Sequence, residues 1–268
     1  MEDHSSTERL ESLTACYEVS PDELSTLTRE LLDERAANVP NTRQYVTIET
    51  NGSSKYANIG RQIERVVFEQ AFGNDAEQMR KEYGPYEEAS TFFISIDRGL
   101  GKATGVLRVI GNSPQGLKTL NDVQNEPFAI STDEVAQRHR IVDFDKAWDV
   151  GTIAVLPEYR SGEGPVSVQL YRAMYKSALE HGIDHLVSII DDKPLQKLKE
   201  YLAIPFVPLA GSQPKPYLGS EKSQAVYGYV PEFYKKMNRH MWTIKGLLAR
   251  NALNRLVKGS EDDSLIFE

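Results

Sequence analysis

The fold is decided by the stretch WDVGTIAVLPEYRSGEGPVSVQLYRAMYKSALEHG, residues 148–182. Its apolar run stops at Pro157, which indicates a strand that ends there, because proline cannot donate a ladder hydrogen bond. A short loop follows, and then a helical pattern continues up to Gly182, a helix stop signal. The stretch therefore predicts a strand, a loop and a helix in succession.

The loop in this stretch has the composition of a phosphate-binding site. Gly162 and Gly164 let the backbone approach a ligand closely. The start of the following helix presents unpaired amides and the positive end of a dipole. Arg160 adds a fixed charge and a fork of donors. Since Pro157 loosens strand pairing, amides near Val155 can be left to polarise a carbonyl, and the sequence predicts a pyrophosphate cradle beside a strand end.

Outside this stretch, the pattern indicates an α+β protein. Helical signals come first, and two strand signals, STFFISID and ATGVLRVIG, are close enough to be neighbours in a sheet. A third strand, AWDVGTIAVL, and a fourth, IDHLVSIID, flank the helix, which predicts a parallel step in the middle of the sheet. Residues 111–146 are predicted to form a long, irregular and polar connection. Together with residues 205–230, this connection is predicted to shape the acyl or acceptor pocket.

Composition excludes several kinds of protein. The chain has 268 residues and a net charge of −8, which favours solubility and disfavours nucleic acid, DNA included, as the main ligand. Its single cysteine, Cys16, rules out an intrachain disulfide and a multi-cysteine metal site, so no metal is expected, and it fits a cytoplasmic location. No apolar run approaches the ~18 residues of a spanning helix, so no transmembrane segment is expected.

The loop resembles the donor-binding motif of the GNAT acyltransferases, V-x-P-x-x-R-x-x-G-x-G/A, which grips the pyrophosphate of coenzyme A. Val155, Pro157 and Arg160 match this motif, whereas the two glycines are out of register by one position. The resemblance implies that the chain binds an acyl-thioester donor. The residues that it assigns to donor binding are Val155, Arg160, Ser161, Gly162, Glu163 and Gly164.

A longer segment, residues 105–235, resembles one branch of that superfamily, the acyl-homoserine-lactone synthases and the long-chain N-acyl amino acid synthases. The pieces GVLRVI, WDVGTIAV and YLGSEKSQAVYGYV match in the order and spacing of the family. The resemblance implies the GNAT fold, with a mixed central sheet splayed in the middle and flanked by helices. It also implies a donor thioester on acyl carrier protein or on coenzyme A. The Ser-Arg pair of the lactone synthases is Gly151-Thr152 here, so lactone formation is not expected.

The resemblance and the chemistry of amide formation together name the candidate site residues. Asp149 is predicted to take a proton from the attacking amine, directly or through water, because a carboxylate near the reacting carbon can act as a base. The amide of Val155 is predicted to polarise the thioester carbonyl. Glu87 and Glu88 stand where the family has an acidic pair, and Glu88 is a candidate catalytic residue. The positions assigned to substrate binding are Arg108, Trp148 and Thr152.

The predicted function is that of an N-acyltransferase that moves an acyl group from a thioester to the amine of a small metabolite. Two alternatives stay open. One is a transferase that uses aminoacyl-tRNA as its donor. The other is a non-catalytic module that binds or senses acyl thioesters.

Three segments are predicted along the chain. They are an N-terminal helical extension, an acyltransferase domain, and a basic C-terminal helix with a tail, at residues 1–40, 41–230 and 231–268. Because acyl carrier proteins are acidic, the basic segment is a candidate docking surface for one. Packing on the protein's own core, contact with a membrane surface and dimer formation stay open for the same segment.

Overall fold

The computed structural model describes residues 17–36, 44–160, 165–201, 204–233, 235 and 265–266. The predicted C-terminal basic helix falls almost wholly outside these residues. Within the described ranges, none of the helices is both long enough and apolar enough to cross a membrane.

Helices and strands follow one another along the chain in an α+β order. The helices are α1 (Pro21–Arg35), α2 (Ala57–Phe72), α3 (Ala76–Tyr83), α4 (Lys118–Val123), α5 (Thr132–His139), α6 (Pro165–Glu180) and α7 (Asp192–Tyr201). The strands are β1 (Tyr45–Asn51), β2 (Ser90–Asp97), β3 (Lys102–Gly111), β4 (Ala147–Val155), β5 (His185–Asp191), β6 (Val207–Pro208), β7 (Lys215–Tyr217), β8 (Ser220–Tyr229) and β9 (Leu265–Ile266). Short 3-10 turns lie at Gly84–Ala89, Phe144–Lys146, Pro157–Tyr159 and Leu209–Gly211.

The chain divides into two compact units, and the divisions fall inside β3, β4 and α6. Unit 1 comprises the described residues up to Arg108, those in Thr152–Ala173, and residues 265–266. Unit 2 comprises Val109–Gly151 and the described residues from Met174 to 235. The predicted domain limits at 40/41 and 230/231 stay predictions.

Unit 1 begins with the capped helix that the sequence indicates. The side chain of Ser20 accepts a hydrogen bond from the Glu23 amide, and Pro21 occupies the first turn. In the unit's sheet β1 pairs with β2 in antiparallel register from Tyr45↔Asp97 to Asn51↔Thr91. Helices α1 and α2 and the strands bury one apolar core, which includes Leu31, Ile48, Ile59, Ile63, Phe92, Ile94, Val106 and Ala154.

Unit 2 contains the parallel step predicted for the middle of the sheet. β4 pairs with β5 in parallel register over three positions only, from Ala147↔His185 to Asp149↔Val187. At the next position the Ser188 hydroxyl donates to the carbonyl of Val150 over 2.7 Å. β5 then continues to Asp191, paired on its other side with antiparallel β8. The pairing of β4 with β5 therefore stops part-way, and the predicted splayed, mixed sheet is confirmed.

The excursion at 111–146 is more regular than expected, because it contains α4 and α5. Ser131 caps α5 by accepting from the Glu134 amide. The two helices carry Leu120, Val123 and Val135 into an apolar core that they share with Val187 and Tyr227. At six and eight residues, both helices are too short to show a clear helical period in the sequence.

Candidate active site

The end of β4 has the geometry expected of a strand that stops at a proline. Pairing with β3 continues one residue past the strand, since the Leu156 amide donates to the Thr104 carbonyl over 3.0 Å. The 3-10 turn Pro157–Tyr159 then redirects the chain. The predicted loop residues Ser161, Gly162, Glu163 and Gly164 lie outside the described residues.

Arg160 folds back onto the strand end that the sequence assigns to the donor. Its Nε donates to the Val155 carbonyl over 2.7 Å, and the residue is exposed. The Val155 carbonyl thus fixes the direction of the Arg160 guanidinium. The charge of the guanidinium stays at the surface, next to the end of β4. The structure therefore places Arg160 next to Val155, and their predicted role in donor binding stays a prediction.

A buried ion cluster lies in unit 1, and Arg108 is its centre. Arg108 is fully buried and donates to both carboxylate oxygens of Glu64, over 3.0 and 2.5 Å. It also donates to Glu87 Oε1 over 3.2 Å and to the Tyr17 hydroxyl over 2.8 Å. The guanidinium carbon lies 4.4 Å from the ring centroid of Phe92. Arg108, predicted to bind substrate, is therefore enclosed by protein groups.

A second arginine completes the ion cluster. Arg61 Nε and Nη2 both donate to Glu87 Oε2, over 2.9 and 2.7 Å, and Nη2 also donates to the Gly52 carbonyl over 2.5 Å. The Tyr17 hydroxyl donates to Glu87 Oε1 over 2.6 Å. The cluster of Tyr17, Arg61, Glu64, Glu87 and Arg108 thus balances two cationic side chains against two carboxylates.

Burial and pairing pull the pKa values of the cluster in opposite directions. For Glu64, burial dominates and raises the pKa, although Arg108 and Thr152 oppose it. For Glu87, burial also acts to raise the pKa, but Arg108 and Arg61 outweigh it and the pKa is lowered. For Arg108, burial is outweighed by Glu64 and Glu87, which raise its pKa well above the usual value. The arginine therefore stays charged at every working pH.

The acidic pair before β2 divides between interior and surface. Glu87 is buried in the ion cluster, whereas Glu88, the predicted catalytic residue, is exposed. Sequence reasoning missed Tyr17, Arg61 and Glu64. The signal for two of them was available, because Arg61 and Glu64 fall at the helical spacing of the buried positions Ala57, Ile63 and Val67 on α2.

Thr152, a predicted substrate-binding residue, points into the ion cluster. It is buried on β4, and its hydroxyl donates to Glu64 Oε1. β4 thereby gains a polar contact with α2, next to the apolar core that contains Ala154. This contact was not foreseen, because sequence spacing alone does not bring residues 64 and 152 together.

Asp149, the predicted base, is buried in unit 2 and is 1% exposed. Oδ2 accepts from the backbone amide of Thr119, and Oδ1 accepts from the Thr119 hydroxyl over 2.9 Å. Burial raises the pKa of Asp149 to about 7, and the hydrogen bonds from Thr119 oppose the rise. The carboxyl group therefore changes charge near neutral pH, in a place where α4 meets β4.

The first turn of α4 is also fastened to the hairpin of β7 and β8. Lys118 Nζ lies 2.6 Å from Asp122 Oδ2 and 3.0 Å from the Tyr217 hydroxyl. That hydroxyl donates to the same Asp122 oxygen over 2.5 Å. The first turn of α4 is thus bonded to Asp149 through Thr119 and to Tyr217 through Lys118 and Asp122.

Aromatic side chains surround the start of β4 and β5. Trp148 is 8% exposed, and its ring centroid lies 5.7 Å from that of His181. His139 stacks on Tyr227 at 4.0 Å and accepts from the Ala210 amide over 2.9 Å. Burial lowers the pKa of His139 to about 4. Among the described residues, no cluster of histidine, cysteine or carboxylate groups could hold a metal ion.

No protein-family model matches the chain, and no curated protein matches it. Its structure is similar to that of FeeM, an N-acyl amino acid synthase from uncultured soil microbes. The TM-score is 0.55 at 19% identity, over 75% of this chain and 99% of FeeM. The chain has a GNAT-type fold. The predicted resemblance is thereby confirmed at the level of the fold.

Other proteins with a GNAT-type fold match less well. A coenzyme A-dependent acyl-homoserine lactone synthase, BjaI, solved with SAM and isopentyl-CoA, covers 72% of this chain and 90% of its own, at 12% identity and a TM-score of 0.45. A putative N-acetyltransferase from Lactobacillus plantarum covers 70% and 99%, at 13% identity and a TM-score of 0.47. The assignment of the GNAT-type fold to this chain therefore rests on its similarity to FeeM.

Proposed function

We propose that the protein is an N-acyltransferase that moves an acyl group from a thioester to the amine of a small metabolite. The observation that carries the proposal is the GNAT-type fold shared with FeeM over 99% of that chain. The end of ladder pairing between β4 and β5 after Asp149 supports it, because the side of β4 that faces away from β3 can then present backbone groups to a ligand.

In this proposal the end of β4 receives the donor. The Val155 amide polarises the thioester carbonyl, and Arg160 with residues 161–164 holds the phosphate end of the pantetheine arm. The contact between Arg160 and the Val155 carbonyl supports the assignment, because it keeps the positive charge beside the strand that carries this amide. The donor is a thioester of acyl carrier protein or of coenzyme A.

Asp149 is the proposed proton acceptor, and it acts through an intermediary. Both its oxygens accept from Thr119 and almost none of its surface is exposed, so it does not meet the amine directly. Thr119 is itself buried, so a water molecule takes the proton that the amine loses, and the Thr119 hydroxyl relays a proton to Asp149. A pKa of about 7 suits a group that must accept a proton at neutral pH. Nitrogen bonds to the acyl carbon as the carbon–sulfur bond breaks, and the thiolate leaves.

The remaining site residues divide by their exposure. Glu88 stays a candidate because it is exposed. Trp148 is largely buried but keeps 8% of its surface exposed, and it stays the proposed contact for the substrate. Arg108 and Thr152 are enclosed in the protein, so we propose that they support the site rather than touch the acceptor. The acidic carrier protein remains a proposed partner of the basic C-terminal segment, and the cytoplasm the proposed location.

Release of free thiol tests this function. The purified chain is incubated with acyl-coenzyme A or an acyl carrier protein thioester, with and without a panel of small amines. We expect release to require an amine and to persist after ribonuclease treatment. Binding of a thioester that is never cleaved would support the sensor alternative, and loss of activity with ribonuclease would support the tRNA-dependent one.

A further inference from the structure

We propose that Thr152 is a positioning residue, whose bond to Glu64 fixes the end of β4 in the register and direction that acyl transfer requires. The inference rests on the proposed function, since it assigns Thr152 a part in that reaction. It departs from the sequence-based prediction, in which Thr152 contacts the substrate.

The polar contact borders the apolar packing between β4 and α2. Ala154, two residues beyond Thr152 on the same side of β4, belongs to the core that contains Ile59 and Ile63 of α2. Apolar packing is non-directional, so by itself it tolerates small shifts and rotations of a strand. The hydrogen bond from Thr152 to Glu64 adds the direction that this packing lacks.

Glu64 is a rigid anchor for that bond. Arg108 donates to both its carboxylate oxygens, and Arg108 is held in turn by Glu87 and Tyr17. All these groups are buried, so the cost of leaving one of them without its partner opposes any slippage. A slip of β4 by one residue would turn the Thr152 hydroxyl to the other face of the sheet, away from Glu64.

The anchored position lies close to the proposed reacting atoms. Thr152 precedes Val155 by three residues, or about 10 Å of extended strand. The Val155 carbonyl is fixed in its turn by Arg160. The segment 152–155 is thus fastened at both ends, by Glu64 and by Arg160. A displacement of about 1 Å at a reacting centre can slow catalysis by about a hundredfold.

The test compares two threonines replaced by the same residue. Thr152→Val removes the hydroxyl that reaches Glu64, and Thr152→Ser restores it. Thr104→Val is the matched control, because Thr104 is also buried on a strand of unit 1 but its hydroxyl donates to Ser95. Kinetics of thiol release and amide hydrogen exchange over residues 152–156 are measured for each variant.

We expect Thr152→Val to lower kcat by about tenfold to a hundredfold, with a much smaller change in KM for the donor. The same variant should also speed amide hydrogen exchange in residues 152–156. Thr152→Ser should recover most of both, and Thr104→Val should leave both near the wild-type values. Equal effects of the two valine variants would overturn the proposal. If the wild-type chain transfers no acyl group, the proposed function fails, while unchanged exchange in Thr152→Val would still refute the positioning role.

Discussion

At the residue scale, the main feature is that the charges of unit 1 are buried in pairs. A buried charge without a partner costs several kcal/mol, and pairing with good geometry offsets most of that cost. Arg61 and Arg108 are matched by Glu64 and Glu87, so the cluster is neutral as a whole. Neutralising one member should therefore cost far more than neutralising a surface carboxylate.

The adjacent pair Glu87 and Glu88 allows that comparison directly. Glu87→Gln weakens bonds to both arginines, and we expect it to lower the free energy of unfolding by about 3–5 kcal/mol. Glu88→Gln should change it by less than about 0.5 kcal/mol, because the residue is exposed. Urea unfolding of both variants measures the difference, and equal destabilisation would mean that the cluster is not balanced as described. The rate of acyl transfer by Glu88→Gln tests its catalytic candidacy.

The raised pKa of Asp149 predicts a pH dependence of stability with a definite sign. The folded chain holds this proton up to about pH 7, whereas the unfolded chain releases it near the ordinary aspartate value of about 4. Between those values the native state binds more protons, so the contribution of Asp149 to stability is lost as the pH rises. We expect the free energy of unfolding of the wild type, minus that of Asp149→Asn, to fall from pH 4 to 7 and then level off.

Urea unfolding of the two proteins across pH 4–8 measures that difference. The variant supplies the control for every other titrating group, since both chains share them. A difference that stays constant or increases with pH would contradict the assignment of the raised pKa to Asp149.

Arg160 carries the prediction for donor binding. Arg160→Ala should weaken binding of the thioester donor by about 1.5–3 kcal/mol, the size of a hydrogen bond to a charged group. Arg65→Ala, which removes an equal charge from α2 where Arg65 pairs with Glu69, is the control. Calorimetry with coenzyme A and with carrier protein thioesters measures the affinity. Unchanged affinity in Arg160→Ala would remove the residue from the donor site.

Residues that are close together in the sequence were predicted to be neighbours, whereas residues far apart in the sequence were not. Arg160 and Val155 are five positions apart in one motif, so local spacing was enough to place them together. The ion cluster draws on residues 17, 61, 64, 87 and 108, which only tertiary packing assembles. Burial of charged residues is also the exception in proteins, so Glu64 was not an obvious interior position.

At the element scale, the fold depends on how closely β3 approaches β4 and α6. Gly105 lies on β3 where a Cβ atom would fall 2.9 Å from Val166 Cγ1 and 3.0 Å from the Ala154 carbonyl oxygen. A glycine at this point lets the strand and the helix pack against each other. The adjoining part of β4 is the part that carries the proposed donor contacts.

Gly105→Ala should therefore lower the free energy of unfolding by about 1–3 kcal/mol, the usual cost of overpacking. Gly99→Ala is the control, since its Cβ would lie 3.4 Å from Asp97 Oδ1, at the limit of ordinary van der Waals contact. Thermal or urea unfolding gives both values. Similar small effects would show that the contact at Gly105 relaxes without cost.

Some elements were predicted from the sequence, whereas the short helices α4 and α5 were not. α1, with its proline and capping serine, and the strand–loop–helix stretch follow from local chemistry. α4 and α5 were not predicted, because helices of about two turns contain too few residues to show a helical period of hydrophobicity. They are formed because tertiary packing places Leu120 and Val135 in a shared core.

At the scale of the whole molecule, the fold and the activity rest on different observations. The GNAT-type fold follows from the splayed sheet and from the similarity to FeeM. A fold supports many functions, so the proposed reaction has to be tested at its proposed site residues, Val155, Arg160 and Asp149. The donor's carrier and the acceptor amine are set by contacts that neither the motif nor the fold specifies.

The central claim is that the chain joins an acyl group to an amine. The most direct measurement quantifies N-acylated product by mass spectrometry alongside free thiol, with wild type and Asp149→Asn, an acyl thioester and the amine panel. We expect product and thiol in equal amounts, formed faster by the wild type at neutral pH. An intact thioester recovered after prolonged incubation with every amine would contradict it.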